Sequence, residues 1–237
     1  MTDATCTRTL AAILSAESQL GSAVRRAMKA YLGLTGDQVL PRDGSVQPNR
    51  LPGDHVWHNA VDTWVLPVLA TAWHKRFSGC AGAEAPDAAR SYLASAAVRL
   101  YSSAWMREVD QMVSDVAMQA ATRDVAREDV GVMLNVETWN DWQTRIARTE
   151  ALSAVNSATL AAARTQKGHA TLAKEWVSMR DELVRTTHKP VTGADGQTVG
   201  LDEDFVVGGH RGGYPGDPRL PAQEAINCRC VLRIKQL

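Results

Sequence analysis

The sequence predicts an α+β protein that is predominantly α-helical: a helical N-terminal body followed by a small, turn-rich α+β module with short strands. Apolar residues recur every three or four positions through most of the first 166 residues, which is the period of an α-helix. After Gln166 the composition changes, and short alternating segments are separated by glycines. We therefore expect a helical body over residues 1–135 and a module over 136–237, in which a long helix at 139–166 precedes an α+β part at 167–237.

Breaks rich in Gly, Pro and Asp delimit the helices of the N-terminal body. The first helix is predicted at 5–32, and the Gly- and Pro-rich stretch 33–54 reads as a long loop. Asp54 is suited to capping the second helix, which Pro67 should kink or split. Pro86 is suited to the first turn of the next helix. The predicted core stripe of the second helix consists of Trp57, Val61, Trp64, Val68 and Ala72.

The C-terminal module is predicted from strands and tight turns. Residues 169–179 alternate between two faces, and "CVLRIKQL" at 230–237 is the second strand candidate. Asp195 and Gly196 supply a tight turn. The stretch "YPGDP" at 214–218 is a rigid bend in which Gly216 permits a positive φ.

The charge balance excludes a strong general attraction to nucleic acid or to an anionic membrane. The chain has 26 basic and 26 acidic residues, so its formal net charge is zero. The most apolar run, at 64–73, is half the length of a membrane-spanning helix, and the N-terminus lacks the pattern of a signal peptide. Cys6 and Cys80 are isolated, which suits reduced thiols in a cytosol. Local basic stretches leave DNA contact open, although acidic residues dilute them.

Three segments near the C-terminus occur in a specific order. They are "RIARTEALSAVNSATLAAA" (145–163), "KEWVSMRDELVRTTHKPVTGADGQTVGLDEDFVVGG" (174–209) and "YPGDPRLPAQEAINCRC" (214–230). This succession resembles the Mu F-like family of phage head morphogenesis proteins, the minor head proteins of tailed phages. The resemblance covers about residues 140–230, and the N-terminal helical half carries no motif that can be matched.

The resemblance implies a structural protein of the virion. Such a protein is a capsid-associated minor head component that acts near the portal in head assembly, DNA packaging or genome delivery. Its implied partners are other head proteins, the portal or the major capsid protein or both. Its implied location is the head interior or the portal vicinity, with the host cytoplasm during assembly. Similar modules are joined to toxin domains in some bacterial proteins; with seven residues after Cys230, we expect no such domain here.

The motif residues of this resemblance are expected to hold the module in shape. If the segment from 181 is helical, Asp181 and Arg185 form an ion pair four residues apart, and His188 shares their face. Asn227 is suited to holding a turn with its side chain. The complete motif set is Asp181, Arg185, His188, Asp195, Gly196, Tyr214, Pro215, Gly216, Asp217, Asn227, Cys228, Arg229 and Cys230.

Cys228 and Cys230 allow three interpretations. In an extended segment both thiols point to one side and Arg229 to the other. The two thiols could share a zinc ion with His188, and His210 is a candidate fourth ligand, although the usual C-x2-4-C spacing is absent. Alternatively, they are reduced cysteines packed behind the bend at 214–218, which is the structure we expect. A disulfide or thiol chemistry with a second chain is the third interpretation.

An enzyme is the competing class of function. His188 could act as a base oriented by Asp181 or Asp195, with Cys228 as the nucleophile of a metal- or thiol-dependent enzyme or an injected effector. The chain contains no G-x-S-x-G, H-E-x-x-H or P-loop sequence. We therefore expect a protein that is not an enzyme and has no cofactor, unless zinc occupies the set above.

Overall fold

The elements of the chain agree with the predicted fold class. A computed structural model describes residues 4–39, 53–82, 85–102, 140–179, 181–192 and 196–237, with several helical positions between 111 and 122. The helices are α1 (Ala4–Val39), α2 (Asp54–Ala60), α3 (Leu66–Ala81), α4 (Pro86–Leu100), α5 (Asn140–Thr165) and α6 (Ala222–Ala225). The strands are β1 (Leu172–Val177), β2 (Thr198–Gly200), β3 (Phe205–Val207), β4 (His210–Gly212) and β5 (Val231–Gln236). The predominantly helical α+β class is confirmed.

The chain divides into two compact units. The first unit comprises Met1–Gly21, Val68–Ala96 and Thr144–Leu237, and the second comprises Ser22–Pro67 and Ala97–Gln143. The first unit thus contains the predicted α+β part together with helical segments from the N-terminal half. The predicted boundary at 135 and 136 lies outside the described residues and stays a prediction.

Helix α5 is the centre of the first unit. Almost every residue from Ile146 to Ala163 is buried, as expected of a helix surrounded by other elements. Its many alanines keep it thin, so neighbouring elements can pack closely. The indole of Trp73 on α3 donates a hydrogen bond to Ser157 Oγ (3.3 Å). Arg76 donates to Thr159 Oγ1 (2.9 Å), which joins α3 to the same helix.

In the second unit, the predicted stripe of the second helix is wrong at Trp64. A π-helical turn at Val61–Val65 ends two residues before Pro67, and the helix passes this proline without breaking. The extra residue in the turn moves the buried position from Trp64, which is 38% exposed, to Val65, which is 1% exposed. Trp57 lies in the core as predicted, and its indole donates to the carbonyl of Leu100 (2.7 Å).

Two predicted helix boundaries also need correction. Helix α1 continues through Gly33 to Val39, so the first part of the predicted loop 33–54 is helical, and residues 40–52 lie outside the described residues. A glycine inside a helix costs only about 1 kcal/mol, which neighbouring residues can offset. Asp54 is the first residue of α2 and not its cap, because Gly53 occupies the N-cap position. Pro86 begins α4 as predicted.

The two predicted strands of the module pair with each other. β1 is the central strand of an antiparallel sheet in the order β2-β1-β5, and β3 and β4 form a separate hairpin. In the register of β1 and β5, Trp176 lies opposite Leu232 and Glu175 lies opposite Arg233. Trp176 packs edge-on against Phe205 of the hairpin, with ring centroids 5.5 Å apart. The core of the module therefore lies between the sheet and the hairpin.

Lys174 is a buried charge in this core. Its side chain is 1% exposed, its Nζ donates to the carbonyl of Leu201 (3.0 Å), and it lies 5.4 Å from the ring centre of Phe205. Burial, together with the nearby Arg164 guanidinium, lowers the pKa of Lys174 to about 8. No helix among the described residues combines the length and the apolar character needed to cross a bilayer.

Candidate functional site

The structure brings His188, Cys228 and Cys230 together in the first unit. His188 precedes a 3-10 turn at Lys189–Val191, and the two cysteines lie between α6 and β5. His188 Nδ1 is 3.8 Å from Cys228 Sγ and 3.5 Å from Cys230 Sγ. The three side chains are buried, with exposed fractions of 1–3%. Both thiols thus face the same imidazole nitrogen.

Glu224 holds the other side of the imidazole ring. Its Oε2 is 3.0 Å from His188 Nε2 and accepts a second hydrogen bond from Thr187 Oγ1 (2.8 Å). Because a carboxylate accepts, Nε2 carries the ring proton and the lone pair of Nδ1 faces the sulfurs. Gly208 packs against the same carboxylate, since a Cβ at this position would lie 2.5 Å from Glu224 Oε1.

The two thiols share hydrogen bonds that separate their acidities. A hydrogen bond from Cys230 holds the pKa of Cys228 well below that of an ordinary thiol. That bond, together with burial, raises the pKa of Cys230. The backbone N–H of Cys230 also donates to Cys228 Sγ (3.4 Å). Of the two thiols, Cys228 is therefore the more acidic.

A cleft of about 450 Å³ opens over these residues. His188, Cys228 and Cys230 line its floor, and Leu183 and Met179 contribute exposed apolar surface. Three arginines, Arg148, Arg185 and Arg229, also line the cleft. Two of these arginines are neutralised by carboxylates, since Arg148 pairs with Glu17 and Arg229 with Asp181.

Asn227 fixes the approach of the chain to Cys228. Its φ of 58° is the one positive value at a non-glycine among the described residues. Its backbone N–H donates to Thr149 Oγ1 (2.9 Å), and its Oδ1 accepts from Arg148 (3.0 Å), both on α5. Arg185 donates to the carbonyl of Ile226, immediately before this turn. Helix α5 and the segment that contains Arg185 thus both hold this turn.

The predicted ion pair between Asp181 and Arg185 is wrong. Residues 181–188 form a succession of turns and not a helix, so these side chains do not stack four residues apart. Asp181 pairs instead with Arg229 (2.7 Å), which points away from the two thiols as predicted. Asp195 lies outside the described residues. Gly196 packs against the backbone of Thr192, where a Cβ would approach the carbonyl carbon to 2.7 Å.

The bend at 214–218 is anchored to α5. Gly216 has a φ of 80°, as predicted, and a Cβ there would lie 3.1 Å from Leu152 of α5. Asn156 on the same helix donates to the carbonyl of Pro215 (2.9 Å). The buried carboxylate of Asp217 closes the bend by accepting a hydrogen bond from the backbone N–H of Gly213 (2.7 Å). The Asp217 backbone N–H donates to the carbonyl of Tyr214 (3.1 Å).

Several residues of the site escaped the sequence reasoning. Among the described residues, Glu224 and not Asp181 is the carboxylate seen on His188. The sequence feature that could have indicated Glu224 is its place four residues before Cys228, within the same motif segment 214–230. Asn156 was hidden inside the helical stripe of α5, where a polar residue reads as a break in periodicity. His210 is exposed on β4 and does not join the cysteines; among the described residues, the clustered set is His188, Cys228 and Cys230.

Comparison with known families places these motifs in one class of protein, the phage head proteins. The pattern of the phage Mu protein F like proteins matches residues 103–233. Because this match covers more than half of the 237 residues, the chain belongs to that family. The match begins earlier than the stretch from about 140 that the motifs indicate.

One curated relative is a bacterial enzyme. The NAD(+)--arginine ADP-ribosyltransferase EFV of Enterococcus faecalis is 31% identical over 144 residues. The aligned region is 56% of this chain and 27% of the relative, so the chain spans about a quarter of that protein. No solved structure matches the chain.

Proposed function

We propose that this chain is a minor, capsid-associated head protein that acts structurally in head morphogenesis near the portal. Its membership of the phage Mu protein F like family carries the proposal. Its partners are then other head proteins, the portal or the major capsid protein, and it works during assembly, DNA packaging or delivery. The protein resides in the virion, after assembly in the host cytoplasm.

The way in which the module uses its polar residues supports a structural role. Asn156 and Asn227 each make hydrogen bonds that join separate elements of the module, and Asp217 accepts one that closes the bend. Asp181 and Arg229 link the turn segment to the segment of the cysteines. Groups that are committed to internal bonds keep a surface in one shape, which is what a docking protein in a shell requires.

A thiol enzyme is the competing function, because Glu224, His188 and Cys228 form a carboxylate–imidazole–thiol succession. Reactive cysteines are partly exposed, whereas Cys228 is 2% exposed. The transferase activity named for the Enterococcus relative belongs to a protein of which this chain spans 27%. We therefore favour the structural role over catalysis. A labelled maleimide that modifies Cys228 in the native protein faster than Cys80 would favour the enzyme.

The decisive experiment is to look for the protein in purified particles. Heads and complete phage, separated on a density gradient, should contain the chain in few copies relative to the major capsid protein by quantitative mass spectrometry. Deleting its gene should give defective or empty heads, and supplying the wild-type chain should restore them. The proposal fails if the chain is absent from purified particles and heads assemble and fill normally without it.

A complementation series links the effect to the described module. The Asn156→Ala chain should restore heads poorly, because Asn156 joins α5 to the bend and to β5. Thr165→Ala is the matched control on the same helix, since Thr165 is exposed and its hydroxyl donates to the carbonyl of Ala162 one turn earlier. If both variants restored heads equally well, head assembly would not depend on an intact module, which would contradict the proposed role.

A further inference from the structure

We propose that His188, Cys228 and Cys230 bind one zinc ion, with Glu224 as the carboxylate that orients the histidine ligand. The three residues are the group of potential metal ligands that converges among the described residues, and their ligand atoms lie within 4.8 Å of one another. The site is independent of the assembly role, and its test does not use phage particles.

The distances between the ligand atoms fit a tetrahedral ion. With a Zn–S bond of about 2.3 Å and a Zn–N bond of about 2.0–2.1 Å, tetrahedral angles place a nitrogen and a sulfur ligand about 3.6 Å apart. The structure has 3.5 Å from His188 Nδ1 to Cys230 Sγ and 3.8 Å to Cys228 Sγ. The two nitrogen–sulfur distances therefore match those of a single ion held by His188 and both cysteines.

The histidine is held in the tautomer that a metal requires. Metal-binding histidines usually donate their second N–H to a carboxylate or a carbonyl, which fixes the ring and makes the ligand nitrogen more basic. Glu224 accepts from His188 Nε2 (3.0 Å), and Thr187 fixes the carboxylate through a second hydrogen bond. Trp176 packs edge-on against the ring, with centroids 5.3 Å apart. Contacts from Glu224 and Trp176 thus present Nδ1 to the sulfurs.

The donors select the metal. Two thiolates and an imidazole suit zinc, whereas calcium and magnesium take oxygen ligands. A divalent cation also balances two thiolate charges, which would be costly to bury together. The backbone N–H of Cys230 donates to Cys228 Sγ (3.4 Å), a bond that stabilises charge on sulfur. The one-residue spacing suffices because Arg229 turns away towards Asp181 and leaves both sulfurs on one side.

The fourth position faces the cleft. All three ligand residues line it, so a water molecule can complete the coordination there. No fourth His, Cys, Asp or Glu joins the ligand set in the part of the chain that the structure describes. This arrangement predicts a tightly held ion with one exchangeable position and not a fully closed structural site.

The test measures metal directly on the full-length chain. Protein purified without chelators from zinc-supplemented cells should contain about one zinc per chain by mass spectrometry of the metal. Cobalt loaded in its place should give a thiolate-to-cobalt charge-transfer band and the visible bands of a tetrahedral ion. Cys228→Ser and Cys230→Ser should lose both signals, while Cys80→Ser, which removes a thiol outside the set, should keep them.

A pair of glycine variants tests the orienting role of Glu224 without touching a ligand. Gly208→Ala places a Cβ 2.5 Å from Glu224 Oε1, and Gly209→Ala places one in open space at a similar positive φ. Gly208→Ala and Glu224→Gln should weaken zinc binding about 10–100-fold in competition with a chelator. Gly209→Ala should bind like the wild type. Equal affinities of the two glycine variants would remove Glu224 from the proposal.

Two results would overturn the site itself. The first is wild-type protein that holds less than about a tenth of an equivalent of zinc after supplementation and gives no cobalt bands, since a site of this kind binds strongly near pH 7. The second is a Cys228–Cys230 disulfide in protein purified under reducing conditions. Because both are measured on the wild type, they decide the matter even if a cysteine variant fails to fold.

Discussion

Replacing Asn156 by alanine should strongly destabilise the C-terminal module, although in the sequence this residue reads only as a polar break in a helical stripe. Its carboxamide is fully buried, donates to the carbonyl of Pro215 (2.9 Å) and accepts from the backbone N–H of Leu232 (3.0 Å). A third contact, to the carbonyl of Cys230, is long at 3.5 Å. The variant leaves two buried backbone groups without this partner, at about 1–3 kcal/mol each. We expect a loss of about 3 kcal/mol in the free energy of unfolding, because water can replace part of the lost bonding.

The assay combines a global and a local measurement. Urea unfolding followed by circular dichroism gives the free energy, and amide hydrogen exchange of the segment containing Leu232 gives its local stability. A loss of about 3 kcal/mol corresponds to about a hundredfold faster exchange at this amide. Thr165→Ala should change neither measurement by more than about 0.5 kcal/mol. Unchanged protection at Leu232 in Asn156→Ala would refute the reasoning.

Three further perturbations have defined outcomes. Gly216→Ala should lower the free energy of unfolding by more than Gly209→Ala in urea titrations, because both have φ near 80° but only the Gly216 Cβ would press on a helix; equal losses would contradict this. Because of Lys174, the free energy of unfolding should increase as the pH rises from about 8 to 10.5. In this range the amine keeps its proton in the unfolded chain but has lost it in the folded chain. Lys174→Met should lack this slope in unfolding titrations at several pH values, and a slope of opposite sign would refute the assignment. Arg219→Ala should cost about 1–3 kcal/mol by thermal and urea unfolding, because it strips the buried Asp217 of its ion pair (2.7 Å); an unchanged stability would show that backbone donors alone satisfy Asp217.

The parts of the fold that follow from local pattern were accessible from the sequence. The long helix at 139–166 appears as Asn140–Thr165, and the strands predicted in 169–179 and 230–237 appear as β1 and β5. Periodicity and glycine content depend on neighbours along the chain, so one sequence suffices to read them. The same holds for the side on which the two thiols lie, because alternation in an extended segment fixes it.

Long-range partners were not accessible in this way. The carboxylate on His188 comes from Glu224, and the acid near Arg229 is Asp181, 48 residues away in the chain. Such pairs are selected by how the module closes, and several acids in the sequence were chemically equivalent candidates. The π-turn at Val61–Val65 was missed for a related reason: a proline warns of a disturbed helix but does not say whether the helix breaks or widens.

The position of Asn156 beside β5 affects how copies of the chain can associate. β5 is an outer strand of its sheet, and an outer strand with free backbone groups recruits strands from other molecules. The Asn156 side chain on α5 accepts a hydrogen bond from the backbone N–H of Leu232 and faces the carbonyl of Cys230. This part of the sheet edge is therefore already bonded within the molecule. Another copy of the chain would then find this amide of the edge already bonded, which disfavours strand pairing between copies at this point.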